Sequence, residues 1–389
     1  MSQLYEQILT AIKNVSYSGK ENLGLHEPYF EGNEWKYVKD CIDTGWVSSV
    51  GEYVNRFERM LTEYTGIEYC SAVVNGTAAL HVCLLLAGVK ANDEVLVPDL
   101  TFIATANAVE YCGATPHFVD VDLKTCGIDP NKLDDYLQEL LIIRGGESFN
   151  RLTGKRVRAL VAMHTFGHPV DLDRILEVCN KFNIILIEDA AESLGSFYKG
   201  KHTGHWGLLS AISFNGNKVV TTGGGGAILT NDPQLAAAAK HITTTAKIPH
   251  KWRYDHDQVG YNYRLPNINA ALGCAQLEQL DSFINIKRRI AERYLQLFSE
   301  IPEIIFMKEP DFAKSNYWLN AVLIRQPDMT ERDNLISFLT NNGVQARPSW
   351  TLMHKLPMFK NYPRMDVSTA ERIESSLINI PSSVNLGVN

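Results

Sequence analysis

Between residues 69 and 187 the hydrophobic period of the chain keeps switching, and that alternation limits the folds open to it. Short apolar and β-branched runs at Tyr69–Val74, Glu94–Val97, Thr115–Val121, Ala159–Met163 and Ile184–Ile187 read as strands. Helical spacing runs between them, over Thr77–Ala87, Ile103–Tyr111, Asn131–Ile143 and Leu172–Lys181. Such an order predicts an α/β fold: a mostly parallel sheet with helices on both faces. In open sheets of this kind ligands sit beyond the C-terminal strand ends, so the residues just after each strand are the ones to inspect.

Two further strands, Ala211–Phe214 and Ala227–Thr230, and a helix over Pro233–His241 extend the pattern. Upstream, helical spacing over Gly32–Gly45 stops at Thr44-Gly45, a plausible helix end. Gly145–Lys155 is polar and glycine-rich and is expected to be a surface excursion without chemistry. One long helix is expected from Ile268 to Ile301. Beyond it, a strand at Tyr317–Ile324, a helix at Glu331–Asn341, a strand at Val344–Arg347 and a helix at Ala370–Leu377 suggest a smaller α/β unit. The expected division is 1–25 as an N-terminal helix and linker, 26–250 as the large domain, and 251–389 as linker, long helix and small domain.

Composition matters mainly for what it excludes. A net charge of −7 argues against nucleic acid or an anionic membrane as partner, and any anionic ligand must be met by local donors. No apolar run spans a bilayer, and residues 1–20 carry no cleavage-like signal. The seven cysteines are scattered and never form C-x-x-C, so they read as buried hydrophobes in a reducing, cytoplasmic compartment. No metal-ligand spacing is present.

The strand ends carry the chemistry. After the first strand, Asn75-Gly76-Thr77 opens a helix whose free N–H groups and positive dipole end suit a phosphate. After the second, Phe102 could pack in the core or stack on a flat ring. After Ile184–Ile187 comes Asp189, costly to bury without a partner. Ser213 ends the next strand, and the turn Asn215-Gly216-Asn217 delivers Lys218 ahead of four glycines, Gly223 to Gly226. A lysine in apolar surroundings can serve as an amine nucleophile. An anion cradle (Gly76, Thr77, Ser213), an aromatic plate (Phe102), a carboxylate (Asp189) and a Schiff-base lysine (Lys218) together match one cofactor, pyridoxal 5′-phosphate. The glycine run does not fit a dinucleotide fingerprint, because Ile228 stands at its third glycine position.

Seven stretches then resemble the sugar aminotransferases of the DegT/DnrJ/EryC1/StrS family: EWKYVKDCIDTGWVSS (34–49), VNGTAAL (74–80), PDLTFIATANAV (98–109), IEDAAESLGS (187–196), SFNGNK (213–218), GYNYRLP (260–266) and RPSWTLMHKLP (347–357). The resemblance implies the fold-type-I arrangement, a mostly parallel seven-stranded sheet between helices with a smaller C-terminal α/β domain. It implies that Lys218 joins the cofactor aldehyde, that Asp189 meets the pyridine nitrogen, and that Phe102 stacks on the ring. Gly76, Thr77 and Ser213 would bind phosphate, and Glu192 would lie near the ring hydroxyl. Asn262 would reach the phosphate of a neighbouring subunit, implying a homodimer with shared active sites. Arg264 would contact acidic substrate and His354 the sugar.

Trp46 is expected to pack in the core. If its loop instead rims the pocket, Trp46 and Ser48 are substrate contacts. His164, directly after a strand, is a further substrate-contact candidate, whereas His81, His117 and His168 are expected to be structural. The family usually has an acid where this chain has Gly224, so no role is assigned there. The implied reaction is amino transfer from an amino acid, glutamate, to the C4 keto group of a UDP-linked 4-keto-6-deoxy-N-acetylhexosamine. A 3-amino product, a GDP- or dTDP-linked sugar, or a cofactor-holding regulator without turnover are the alternatives.

Overall fold

The structure, a computed structural model, describes residues 2–16 and 22–388; the linker expected after the first helix lies partly outside them. The alternation in the sequence is the alternation in space. β1 (Tyr69–Val73), β2 (Glu94–Pro98), β3 (Thr115–Val119), β4 (Val157–Met163), β5 (Ile185–Asp189), β6 (Leu209–Ser213) and β7 (Gly226–Thr230) form a seven-stranded sheet. Its order is β1-β7-β6-β5-β4-β2-β3. β2 pairs in parallel with β3 and β4, β4 with β5, and β5 with β6. Only β7 runs the other way, antiparallel to both β6 and β1. Helices cover both faces, so β2 and β7 are buried along their whole length and their sequences are apolar almost throughout.

One edge of this sheet gathers the chemistry. Val73, Pro98, Met163, Asp189 and Ser213 are the last residues of β1, β2, β4, β5 and β6, and β7 begins on the same edge at Gly226. The register puts Val73 and Ser213 on either side of Gly226. A Cβ added to Gly226 would stand 2.5 Å from the Asn75 carbonyl carbon, so only glycine lets the chain after β1 turn across this edge.

The expected helix Ile268–Ile301 is two helices, Asn267–Leu277 and Leu280–Phe298. No proline or glycine marks the break. Side-chain ties from other elements hold it: Gln279 Nε2 donates to Glu34 Oε1 at 2.7 Å, and Glu278 accepts from Arg56 at 2.6 Å and Tyr37 at 2.8 Å. The first piece is rich in small buried residues and packs on helices Glu34–Thr44 and Glu52–Thr65; a Cβ on Gly273 would sit 2.5 Å from the Phe57 ring. The Glu34–Thr44 helix stops as expected at Gly45, which adopts φ 74°.

The C-terminal part holds a second sheet of β8 (Ile304–Phe306), β9 (Asn320–Ile324), β10 (Arg347–Pro348) and β11 (Leu377–Ile380), all antiparallel, in the order β8-β9-β11-β10. Leu377, expected to close a helix, opens β11; the helix is Ser368–Glu374. The N-terminal helix Ser2–Lys13 belongs to this core, where Ile8 and Ile12 join Tyr294, Phe298 and Leu339. The Gly145–Lys155 excursion is part of a hairpin, Leu141–Arg144 against Glu147–Asn150, which ends the preceding helix at Leu140. All seven cysteines are free, and five are buried. Among the described residues, no helix is long and apolar enough to cross a membrane.

Candidate active site

Lys218 sits on a turn that the sheet edge holds closed. Phe214 N donates to Gly225 O at 2.8 Å, Thr222 N to Phe214 O at 3.0 Å, and Lys218 N to Asn215 O at 3.0 Å. The Phe214 ring anchors the loop edge-on against Phe57, 4.9 Å away. The lysine side chain is thereby delivered into a cavity of about 380 Å³ at the strand ends. Its Nζ lies 3.2 Å from Glu192 Oε1 and 3.7 Å from the centre of the Trp318 ring. A carboxylate and an aromatic face thus hold one amine.

Asp189, at the end of β5, lines the same cavity and is almost wholly buried. Its oxygens accept from Thr105 Oγ1 at 2.8 Å and Ala191 N at 3.2 Å. Burial pushes its carboxyl up from the ordinary range, against the pull of these donors and of Lys218. Two neutral donors do not neutralise a buried carboxylate, so the site is built for a cationic partner. Glu192, three residues further on, is pushed up to about 7, chiefly by burial; Lys218 and the Phe166 N–H at 2.8 Å oppose that shift, and Asp189 adds to it. Phe166 itself is held at φ 57°, a strained setting for a bulky residue, which points its N–H at that carboxyl.

The cavity's other end is a helix start. Asn75 caps helix Gly76–Leu86 by accepting from Ala78 N at 2.8 Å, leaving the earlier N–H groups without intrahelical partners. Gly76 and Thr77 line the cavity beside Ser213, and a Cβ on Gly76 would meet Ser213 Cβ at 2.9 Å. Phe102, half exposed, stands on the wall with its ring 6.3 Å from Trp350, rather than in the core. Gly224 also lines the cavity, and a Cβ there would meet nothing within 4 Å. An anion seat, an aromatic wall, a carboxylate lacking a cation and a held amine surround one space, a set that fits pyridoxal phosphate.

The structure brings Gly76, Thr77, Phe102, Asp189, Glu192, Ser213 and Lys218 together. Other candidates lie elsewhere. His164 is fully buried, its Nε2 2.9 Å from Glu188 Oε2 and its Nδ1 accepting from Val170 N at 3.3 Å. His354 is clamped by Asp99, whose carboxylate takes its backbone N–H at 2.9 Å and meets its Nδ1 at 2.6 Å. Trp46 is 58 % exposed, not core, and with Arg264 lines a separate cavity of about 440 Å³. Ser48 and Asn262 are exposed. Sequence reasoning passed over Thr105, Trp318 and Trp350. Trp350 lay within a quoted motif, but nothing in the local pattern places Trp318 against Lys218, 100 residues earlier.

The pattern of the DegT/DnrJ/EryC1/StrS aminotransferase family matches residues 28–389. The chain is 38% identical over 363 residues to the GDP-perosamine synthase of Escherichia coli O157:H7, covering 93% of both chains. Among solved structures it is similar to the aminotransferase TlmJ of Streptoalloteichus hindustanus, with TM-score 0.83, 26% identity and 93% of both chains covered. It shares its fold with Spr1654 of Streptococcus pneumoniae, solved in a PLP-form, with TM-score 0.83, 23% identity and 93% of both chains covered. The chain belongs to the DegT/DnrJ/EryC1/StrS aminotransferase family and is a pyridoxal-phosphate-dependent sugar aminotransferase.

Proposed function

We propose that this enzyme moves an amino group from glutamate to the C4 keto carbon of a GDP-linked 4-keto-6-deoxyhexose. The observation that carries the reading is one cavity holding Lys218, Asp189 and the Gly76–Thr77 helix start, in a chain 38% identical to a GDP-perosamine synthase. Two further relatives of that name, from Caulobacter vibrioides and Vibrio cholerae, are 37% and 35% identical. The UDP-linked substrate expected from motif wording gives way to the GDP-linked alternative on this ground.

Bound pyridoxal phosphate supplies an electron sink and carries the amine between donor and acceptor. Gly76, Thr77 and Ser213 would hold its phosphate, and Phe102 would stand beside its ring. Asp189 would hold a proton on the ring nitrogen by giving that cation its counter-charge. Lys218 Nζ would take the proton from the donor's α-carbon and pass it on within the first half-reaction, and in the second it would work in reverse, delivering a proton to the C4 carbon of the sugar. Trp318 and Trp350 narrow the cavity and keep water from the reacting atoms.

The same reading has the enzyme working as a pair of chains. Trp252, Tyr254 and Val259 are 74%, 77% and 81% exposed, and Trp46 stands out beside them in kind. Apolar side chains left in solvent like this support the reading that a second copy covers them. Asn262, exposed in one chain, would then serve the partner's phosphate seat.

The test is an assay with glutamate and matched GDP- and UDP-linked 4-keto-6-deoxy sugars, reading 2-oxoglutarate and the aminated sugar. The GDP sugar should turn over with kcat/KM at least about tenfold above the UDP sugar, a difference of ~1.4 kcal/mol in transition-state binding. A preference for the UDP sugar would overturn the nucleotide assignment. Amination at C3 would overturn the carbon.

A further inference from the structure

Lys287, on helix Leu280–Phe298, is fully buried, and the reaction does not use it. Buried lysines ordinarily meet a carboxylate. This one meets three neutral groups: its Nζ lies 3.0 Å from His26 Nε2, 3.1 Å from Trp318 O and 2.5 Å from Ser382 O. Burial pushes its amine down to about 7. Its N–H bonds run to the two carbonyls, and the tautomer of His26 sets the direction of the third contact. Burial, then the nearby Lys287 and Lys218, also hold His26 well below its ordinary value.

The carbonyl it grips is the one that matters. Trp318 lays its indole over Lys218 Nζ at 3.7 Å, and its Nε1 donates to Asn217 O at 2.7 Å, in the same turn that presents Lys218. Its backbone cannot hold that place by default. Tyr317, just before it, is forced to φ 49°, a strained setting for a non-glycine residue that survives only where neighbours over-determine it. Asn316 supplies one restraint, accepting from Trp318 N at 2.7 Å while its Nδ2 donates to Glu192 O at 2.8 Å. Lys287 supplies another, at the carbonyl of the same residue.

We propose that Lys287 is a positioning residue: by fastening the Trp318 carbonyl it keeps the indole over Lys218 and so sets how well that amine captures the cofactor aldehyde. This rests on reading Lys218 as the cofactor lysine.

The experiment titrates the cofactor-free chain with pyridoxal 5′-phosphate, reduces the adduct with borohydride and locates it by peptide mass, with Tm recorded for each variant. Lys287→Met should raise the apparent Kd about three- to ten-fold, the worth of roughly one net hydrogen bond. His26→Phe, which keeps a ring beside Trp318 but removes the imidazole nitrogen from Lys287, should move Kd the same way and serves alone if Lys287→Met does not fold. Tyr294→Phe is the control. Its hydroxyl donates to Pro381 O at 3.0 Å from the same helix without touching Trp318. It should lower Tm with Kd unchanged. An unchanged Kd in Lys287→Met or, failing that variant, in His26→Phe would show a plain structural staple. So would a Kd shift of equal size in Tyr294→Phe. An adduct on a lysine other than Lys218 in the unsubstituted chain is a separate failure, that of the cofactor-lysine reading itself.

Discussion

At the scale of single residues, the site is a set of charges that burial makes expensive and geometry makes useful. Glu192 is the clearest case. Its carboxyl rises to about 7 because burial, and then Asp189, outweigh Lys218 and the Phe166 N–H. A carboxyl whose folded value exceeds its unfolded one binds protons more tightly when folded. Its contribution is therefore fully present at low pH and is lost as pH rises from the ordinary glutamate value, about 4.5, through about 7. A shift of this size corresponds to about 3–4 kcal/mol. For the cofactor-free chain, the Tm difference between wild type and Glu192→Gln should therefore change between pH 5 and pH 8, the substituted chain gaining relative to wild type as pH rises. A constant difference across that window would mean that Glu192 does not titrate there.

At the scale of elements, the phosphate seat depends on how closely a helix start approaches a strand end. Gly76 needs no positive φ, so the cost of a side chain there is steric: its Cβ would press on Ser213 Cβ at 2.9 Å. Gly76→Ala should cost about 1–3 kcal/mol of stability, as overpacked sites do. It should also raise the Kd for pyridoxal 5′-phosphate at least about tenfold, since the N–H groups at the helix start move away from Ser213. Thermal melts and a cofactor titration would check both, and a lowered Tm with unchanged Kd would place the phosphate elsewhere. Element by element, the main strands and their helices were legible because burial on both faces leaves an apolar run that local periodicity detects. The break at Glu278–Gln279 was not, because it is held by Glu34, Tyr37 and Arg56, more than 200 residues away. Leu377 failed as a helix residue for a like reason: its run is short, and pairing with β9 makes it a strand.

At the scale of the whole molecule, Asn262 and Arg264 lie apart from the Lys218 cavity of their own chain, and the exposed aromatic residues around Trp252 face outward. If two chains share their sites, mixing Lys218→Ala with Asn262→Ala chains rebuilds one intact site in each mixed dimer. Two inactive preparations should then recover up to about a quarter of wild-type activity after exchange, from random pairing of a twofold assembly. No recovery, with mixed dimers shown to form, would put both residues in the same site or Asn262 in none.

The chain's order of apolar runs and the residues that follow them determined the α/β architecture, the lysine turn, the helix-start anion seat and the carboxylate. All of these follow from local periodicity and from the rule that strand ends share an edge. Tertiary structure alone decided which aromatic residue covers Lys218, which histidines are spent on Glu188 and Asp99, and that Trp46 stands in solvent. Those outcomes depend on contacts between segments far apart in sequence, and the local pattern of side chains carries no record of distance in space.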